Sequence, residues 1–244
     1  MSEVGSTNDW LKEHAREGAA AWTAVRADRQ IAGRGRGGHQ WVSLPGDLFL
    51  SFVLPAPERR PLTLLPLLVG VAVAEAVAEW GVAGRLKWPN DVWVGEGKLG
   101  GVLVESSSDG RAAPAIVAGV GLNLSLDTAR LPEGIRERVT SIRALGVPAP
   151  SPDAAAAAVL ARVSVWYHRF VDEAGPDVLR AAWRDLSVDW WGREVRAESS
   201  GAVLSGIVRD LDERGALVLE RPGGERVAVL SGEVRELRLT GRQA

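Results

Sequence analysis

The chain has 244 residues, room for one large domain or for one with a small appendage, and its 46% hydrophobic and 25% charged residues are ordinary for a globular protein. Lys and Arg number 29 against 31 Asp and Glu, a formal charge of -2, which argues against a general nucleic-acid binder because such proteins carry a basic excess. With no cysteine there is no disulfide framework, no thiolate nucleophile and no cysteine zinc site.

The opening MSEVGSTND lacks the basic and apolar pattern of a signal peptide. Ser6 or Thr7 can cap a helix that Gly18 stops. Residues 21–27 (AWTAVRA) predict a strand, and 28–40 hold too much glycine and arginine for regular structure. GDLFLSFVL (46–54) reads as a strand, and 61–80 as a long apolar helix ended by Gly81. Pro66 and two glutamates inside that run favour a buried helix over a membrane span. RLKW and DVWV (85–94) predict strands, GEGK (95–98) a hairpin turn, and 99–105 and 115–125 further strands. The pattern is helical from 152 to about 189, beginning with an alanine run. From Trp191 onward short alternating segments are parted by glycine turns, notably PGGE at 222–225, which predicts a small β-barrel. The fold class is therefore mixed α/β to residue 190, followed by a small β domain over 191–244. The ten tryptophans are assigned mostly to core and pocket walls.

In RADRQIAGRGRGGHQW (26–41), Gly33, Gly35 and Gly38 satisfy G-x-G-x-x-G, but a dinucleotide site needs a helix to open there. Trp41, a Pro-Gly turn and a strand follow instead. A single copy in a neutral chain also departs from the repeated basic tracts that bind RNA. Two readings remain: a surface loop, or a cradle whose glycine N–H groups approach a phosphate while Arg34 and Arg36 neutralise it. In KWPND (87–91) Pro89 presents Asn90 and Asp91 at a strand boundary. The following turn can bring Asp91 to Lys98; as a solvated ion pair alone this is worth about 0–1 kcal/mol. Gly100 and Gly101 remove side chains where a flat ligand could lie. GVGLN (119–123) repeats that logic, with Asn123 placed to read an amide or base edge. Walker A is absent, since Leu99 follows Gly97-Lys98 and Val92 stands where its first glycine belongs. His14, His39 and His168 are too scattered for a metal cluster, and no serine sits in a nucleophile elbow.

Taken in order and spacing, GSTND, Q-x-x-GRGRGG-x-x-W, KWPND, KLGGVLVE and GVGLN resemble the biotin protein ligase family from Gly5 to Asn123. The resemblance implies a class II synthetase-like mixed sheet with helices (1–190) and an SH3-like β-barrel at the end (191–244). It implies a cytoplasmic enzyme that forms biotinyl-5'-AMP from biotin and ATP with Mg2+. Biotin then passes to a lysine on the biotin carrier domain of a carboxylase. Neither DNA nor a membrane is expected as a partner, and a homodimer is left open. Biotin contacts carried over are Ser6, Thr7, Asn8, Gln30, Gly33, Arg34, Arg36, Lys98 and Gly101. Nucleotide contacts are Arg34, Arg36, Trp41, Asn90, Lys98 and Asn123. Lys98, Arg36 and Asp91 carry the chemistry: Lys98 on the activated carboxyl and α-phosphate, Asp91 near the phosphate, metal and incoming amine. The 28–40 loop closes over the intermediate. His39 departs from the arginine common in the family. The sequence also starts only a few residues before GSTND, which implies a monofunctional form without the winged-helix domain of bifunctional members. Rival readings are a lipoate ligase or octanoyl transferase of the same fold, and a non-enzymatic nucleotide- or RNA-binding module.

Overall fold

A computed structural model describes residues 1–107, 115–131, 133–136, 138–199 and 202–236. Its centre is a six-stranded antiparallel sheet in the order β2 (Ala24–Ala27), β4 (Leu48–Leu54), β8 (Ala115–Leu122), β7 (Gly97–Ser107), β6 (Asp91–Val94), β5 (Arg85–Lys87). Ahead of it, β1 (Glu3–Val4) pairs in parallel with β3 (Arg29–Gln30). Every residue of β4 is buried, because both faces of the sheet are covered. Side chains alternate along a strand. Leu48, Leu50, Phe52 and Leu54 enter the main core, while Val53 joins Leu11, Val25 and Val117 beneath helix α1 (Thr7–Arg16).

The main core is organised by α2 (Leu65–Glu79), most of whose residues are buried. Leu62–Glu79 is long and apolar enough to cross a membrane, yet 67% of that window is buried inside the protein. Its two glutamates are explained by packing, since Arg162 of α4 (Pro152–Val171) meets both Glu75 and Glu79. Pro66 is tolerated because it falls in the first turn, where a missing N–H breaks no helical bond. The turn before it, Leu62–Leu64, is a 3-10 helix rather than part of the long helix expected from the sequence. The expected helical stretch after 152 is likewise two helices, α4 and α5 (Gly175–Leu186), broken where Asp172 turns extended. A short α3 (Glu133–Arg136) precedes them. After α5 the chain rejoins the sheet, with Ser187 bridging to Leu86 of β5.

The C-terminal strands form a five-stranded antiparallel sheet, β12 (Arg226–Val229), β11 (Leu217–Glu220), β10 (Ala202–Leu211), β9 (Glu194–Ser199), β13 (Glu233–Glu236) in that order. Its inward residues Val195, Ala197, Val208, Leu217, Leu219 and Val234 belong to the same apolar cluster as α2. Trp88 donates its indole N–H to Gly215 O at 2.9 Å, tying the sheet to the KWPND segment. Residues 237–244, the end of the β domain expected from the sequence, lie outside the described residues. Buried Trp88, Trp166, Trp183 and Trp190 fit the core role read from composition, and Trp41 and Trp93 line a cleft.

Candidate active site

Strand register builds the floor of that cleft. One row of paired residues crosses the whole sheet: Ala27, Phe49, Gly121, Gly101, Asp91, Lys87. The neighbouring row on the same face reads Val25, Ser51, Gly119, Leu103. Paired residues project to one face, so the three glycines open a trough with Ser51 near one end and Asp91 near the other. The trough lies in an open cleft of about 1330 Å3. Of the residues singled out in the sequence, Ser6, Thr7, Asn8, Gln30, Arg34, Arg36, Trp41, Asn90, Asp91, Lys98 and Gly101 line it.

At the Ser51 end, the capped start of α1 delivers Thr7 and Asn8. Gln30 Oε1 accepts from Thr7 N at 2.8 Å and Thr7 Oγ1 at 3.0 Å. Ser51 Oγ lies 2.8 Å from Thr7 Oγ1 and 2.6 Å from Asn8 Oδ1. Asn8 has its Nδ2 donating to Leu103 O and Glu105 Oε2, so its oxygen faces Ser51. Ser51 carries one proton for two contacts, and the Thr7 proton is already directed at Gln30. This end therefore has more lone pairs than protons, and a ligand N–H complements it. An added Cβ at Gly119 would fall 2.2 Å from Asn8 Oδ1, so glycine is what lets Asn8 lie here.

Arg34, expected to neutralise an anion, is held by protein carboxylates. Its guanidinium meets Asp9 and Glu105 Oε2, the latter at 3.0 Å, and Lys12 reaches Glu105 Oε1 at 3.0 Å. Burial works to raise the Glu105 pKa, but hydrogen bonds from Asn8 and Lys12 and the charges of Lys12 and Arg34 outweigh it and hold the carboxyl below its ordinary range. The arginine loop is also more ordered than its composition suggests. Trp41 N donates to Gly33 O, Arg34 bridges Gln40, Gly35 N donates to His39 O, and Arg36–Gly38 form a 3-10 turn.

At the other end Lys98 Nζ sits 2.7 Å from Asp91 Oδ1, as the hairpin spacing suggested, with both side chains partly exposed. Burial lowers the Arg36 pKa, and the nearby Asp91 charge opposes that shift. The flat ring over the glycines is Trp41. An added Cβ would lie 2.6 Å from its indole at Gly121 and 3.3 Å at Gly101, and Lys98 Nζ stands 5.5 Å from its ring centre. Asn90 donates to Val102 O, closing the KWPND turn onto β7. Among the described residues no three His, Cys, Asp or Glu side chains converge to hold a metal.

Two expected contacts are placed outside the cleft lining. Gly33 is buried, with room for no Cβ because Trp41 O would be 2.8 Å away. Asn123 is 6% exposed, and its Nδ2 donates to Lys98 O and Thr140 O, tying β7 to the segment at 138–140. Sequence reasoning also passed over Ser51, although a lone hydroxyl within LFLSFVL was a visible signal. Glu105 sat inside a quoted motif without a role, and Arg138 and Val139 enter the cleft from a segment with no motif at all.

A pocket that greets an N–H at one end and gathers Lys98 and Arg36 around a carboxylate at the other, over a bare sheet, defines a carboxylate-activating ligase. Residues 3–123 match the Biotin/lipoate A/B protein ligase family and 191–235 the Biotin protein ligase C terminal domain. The Biotin--[acetyl-CoA-carboxylase] ligase of Mycobacterium tuberculosis (strain ATCC 25618 / H37Rv) is 36% identical over 98% of this chain and 88% of its own length. Its Paracoccus denitrificans counterpart is 31% identical over 93% of this chain and 95% of its own. The structure of the biotin protein ligase from Aquifex aeolicus in complex with biotin and ATP superposes with a TM-score of 0.83, at 30% identity and 97% coverage of both chains. The chain belongs to the biotin protein ligase family.

Proposed function

We propose that this chain joins biotin and ATP into biotinyl-5'-AMP and passes the biotinyl group to a lysine on the biotin carrier domain of a carboxylase. The observation that carries the reading is the single trough with an acceptor-rich end at Ser51, Thr7 and Gln30 and a cationic end at Lys98 and Arg36. A cyclic urea supplies N–H donors to the first end, and its carboxylate tail reaches the second. In the first step a carboxylate oxygen attacks the α-phosphorus, and the bond to the β-phosphate oxygen breaks to release pyrophosphate. Two unit anions 4 Å apart repel by about 4 kcal/mol at an effective dielectric of 20. A charge-assisted hydrogen bond returns about 1.5–3 kcal/mol, so Lys98 and Arg36 are both needed. Magnesium enters with the triphosphate as part of the substrate.

In the second step an amine nitrogen attacks the acyl carbon, the anhydride C–O bond breaks, AMP leaves and the amine loses its proton. A free lysine is neutral in about one molecule per thousand at pH 7.4. Asp91 is assigned to orient that amine, whose proton passes to solvent. The 28–40 hairpin, with Arg36 and Trp41, shields the anhydride from water. Residues 1–190 then form the catalytic unit and 191–244 the small β domain, and the cytoplasm supplies ATP and the carrier.

The test is biotin-dependent ATP–pyrophosphate exchange, with lipoate as the control acid, followed by labelling of a carrier domain. Exchange with lipoate but not biotin would move the chain to its lipoate-handling rival, and no exchange with either would sink the reading. Lys98→Ala should cut adenylation about 100- to 1000-fold, the effect of losing one preorganised charge donor, while thermal stability holds.

A further inference from the structure

Outside the cleft, one buried carboxylate among the described residues remains without a part in the chemistry. Asp47 is 1% exposed and sits just before β4, following Gly46. Its Oδ1 accepts from Ser125 N at 2.9 Å and Leu126 N at 3.0 Å, and the Leu124 backbone also hydrogen-bonds to the carboxylate. Successive backbone N–H groups converging on one anion form a nest, a rigid arrangement of the main chain. The turn held in this way begins directly after Asn123.

The same turn grips the segment that walls Lys98. Ile142 N donates to Asn123 O, Arg143 N to Leu124 O, and Ser141 Oγ to Leu126 O. Further along, Lys98 N donates to Arg138 O and Thr140 N to Lys98 O, so residues 138–140 pair with Lys98 along the edge of β7 that β8 covers from Gly100 onward. Gly97 permits this approach, since an added Cβ would lie 2.8 Å from Thr140 Cβ. Asn123, from behind, donates to both Lys98 O and Thr140 O. The side chains that lock this unit, Asp47, Asn123 and Ser141, are all buried and none lines the cleft.

We infer that Asp47 is a positioning residue for Lys98: by clamping the 124–126 turn it fixes the 138–143 strap, and the strap sets where the Lys98 backbone stands in the cleft wall. The inference rests on the ligase reading for its kinetic consequence, though not for its structural one. The biotin end, built from Ser6 to Asn8, Gln30 and Ser51, hangs on other hydrogen bonds. A fault at Asp47 therefore reaches the chemical step and spares biotin affinity.

The experiment compares wild type, Asp47→Ala and Asp47→Asn by pyrophosphate exchange and by amide hydrogen exchange at Lys98 and Thr140. In Asp47→Ala, kcat for adenylation should fall about tenfold or more while KM for biotin stays within about twofold. The Lys98 and Thr140 amides should exchange about tenfold faster. Asp47→Asn, which keeps one oxygen on the turn, should restore most of both. Unchanged amide protection in Asp47→Ala, or a rise in biotin KM matching the fall in kcat, overturns the inference. Should Asp47→Ala not fold, Ser141→Ala replaces it, with the same pattern expected at about threefold. Unchanged protection there also overturns it. If wild type itself catalyses no exchange, the ligase reading fails, and amide exchange still decides whether Asp47 positions Lys98.

Discussion

Lys98, Asp91 and Arg36 share one patch of cleft wall, and the balance among them sets what the site attracts. The Asp91–Lys98 pair at 2.7 Å keeps the lysine aimed across the glycine floor, and Arg36 adds a second cation, its pKa lowered by burial against the opposing charge of Asp91. His39 lies exposed on the cleft rim, where the family resemblance of the sequence led us to expect an arginine. His39→Arg should lower the apparent KM for ATP by threefold to tenfold, about 0.7–1.4 kcal/mol, through a permanent charge near the phosphates. An unchanged KM would place residue 39 away from the nucleotide. Asp47 offers a test in pH. Burial raises its pKa from 3.8 to about 6 despite opposing backbone hydrogen bonds. Because the folded protein binds this proton more tightly than the unfolded chain, the contribution to stability is full below pH 3.8 and is lost as pH rises through about 6. Its full size is about 3 kcal/mol, of which about 1 kcal/mol is present at pH 5. Denaturant melts of wild type and Asp47→Asn between pH 7.5 and 5 should diverge by that amount, wild type gaining on acidification. Parallel curves would refute the buried titration.

The trough is a property of paired strands. Gly101 of β7 and Gly121 of β8 are directly opposite, as are Leu103 and Gly119, so two short glycine motifs far apart in sequence become one bare floor. The glycines face two neighbours: Gly119 faces Asn8, while Gly121 and Gly101 both face the Trp41 indole. Asn8 cannot retreat, because Leu103 O, Glu105 and Ser51 hold its amide on three sides. Gly119→Ala should therefore disorder the polar end and raise KM for biotin about tenfold or more, with a smaller effect on KM for ATP. Equal changes in both constants, measured by steady-state exchange, would show that the alanine disturbs the sheet rather than the polar end.

At the scale of the whole molecule, the apolar core does not stop at residue 190. α2 packs under the catalytic sheet and also meets the turn before β11, where an added Cβ at Gly215 would lie 2.8 Å from Leu67. Trp88, 3% exposed, crosses the same junction with its bond to Gly215 O. Trp88→Phe removes that bond and leaves a void beside a buried carbonyl, which should destabilise by about 2–4 kcal/mol. Unfolding should remain one transition, with tryptophan fluorescence and far-UV circular dichroism coinciding, because both sheets share one core. Two separate transitions in the wild-type protein would mean the C-terminal sheet folds on its own.

Read alone, the sequence determined the periodic elements and the local chemistry. Strand alternation in LFLSFVL, the Ser6 cap, the Pro66 start of α2 and the seven-residue step from Asp91 to Lys98 all act over a few neighbouring residues, so their consequences were legible before any fold was known. Tertiary structure decided what those residues face. Register alone sets Gly121 opposite Gly101 and Ser51 opposite Gly119, and a slip of one residue would turn every side chain to the other face. Arg34 could not be read as a partner of Asp9 and Glu105, since carboxylates 25 and 71 residues away reach it only once α1 and β7 are packed side by side. Asn123 reads as a ligand contact because its neighbours are glycines, and only the fold shows its Nδ2 donating to Lys98 O and Thr140 O. A buried hydrogen-bonding group takes whichever partner the packed chain delivers, and that choice is made by long-range geometry rather than by the residues beside it in sequence.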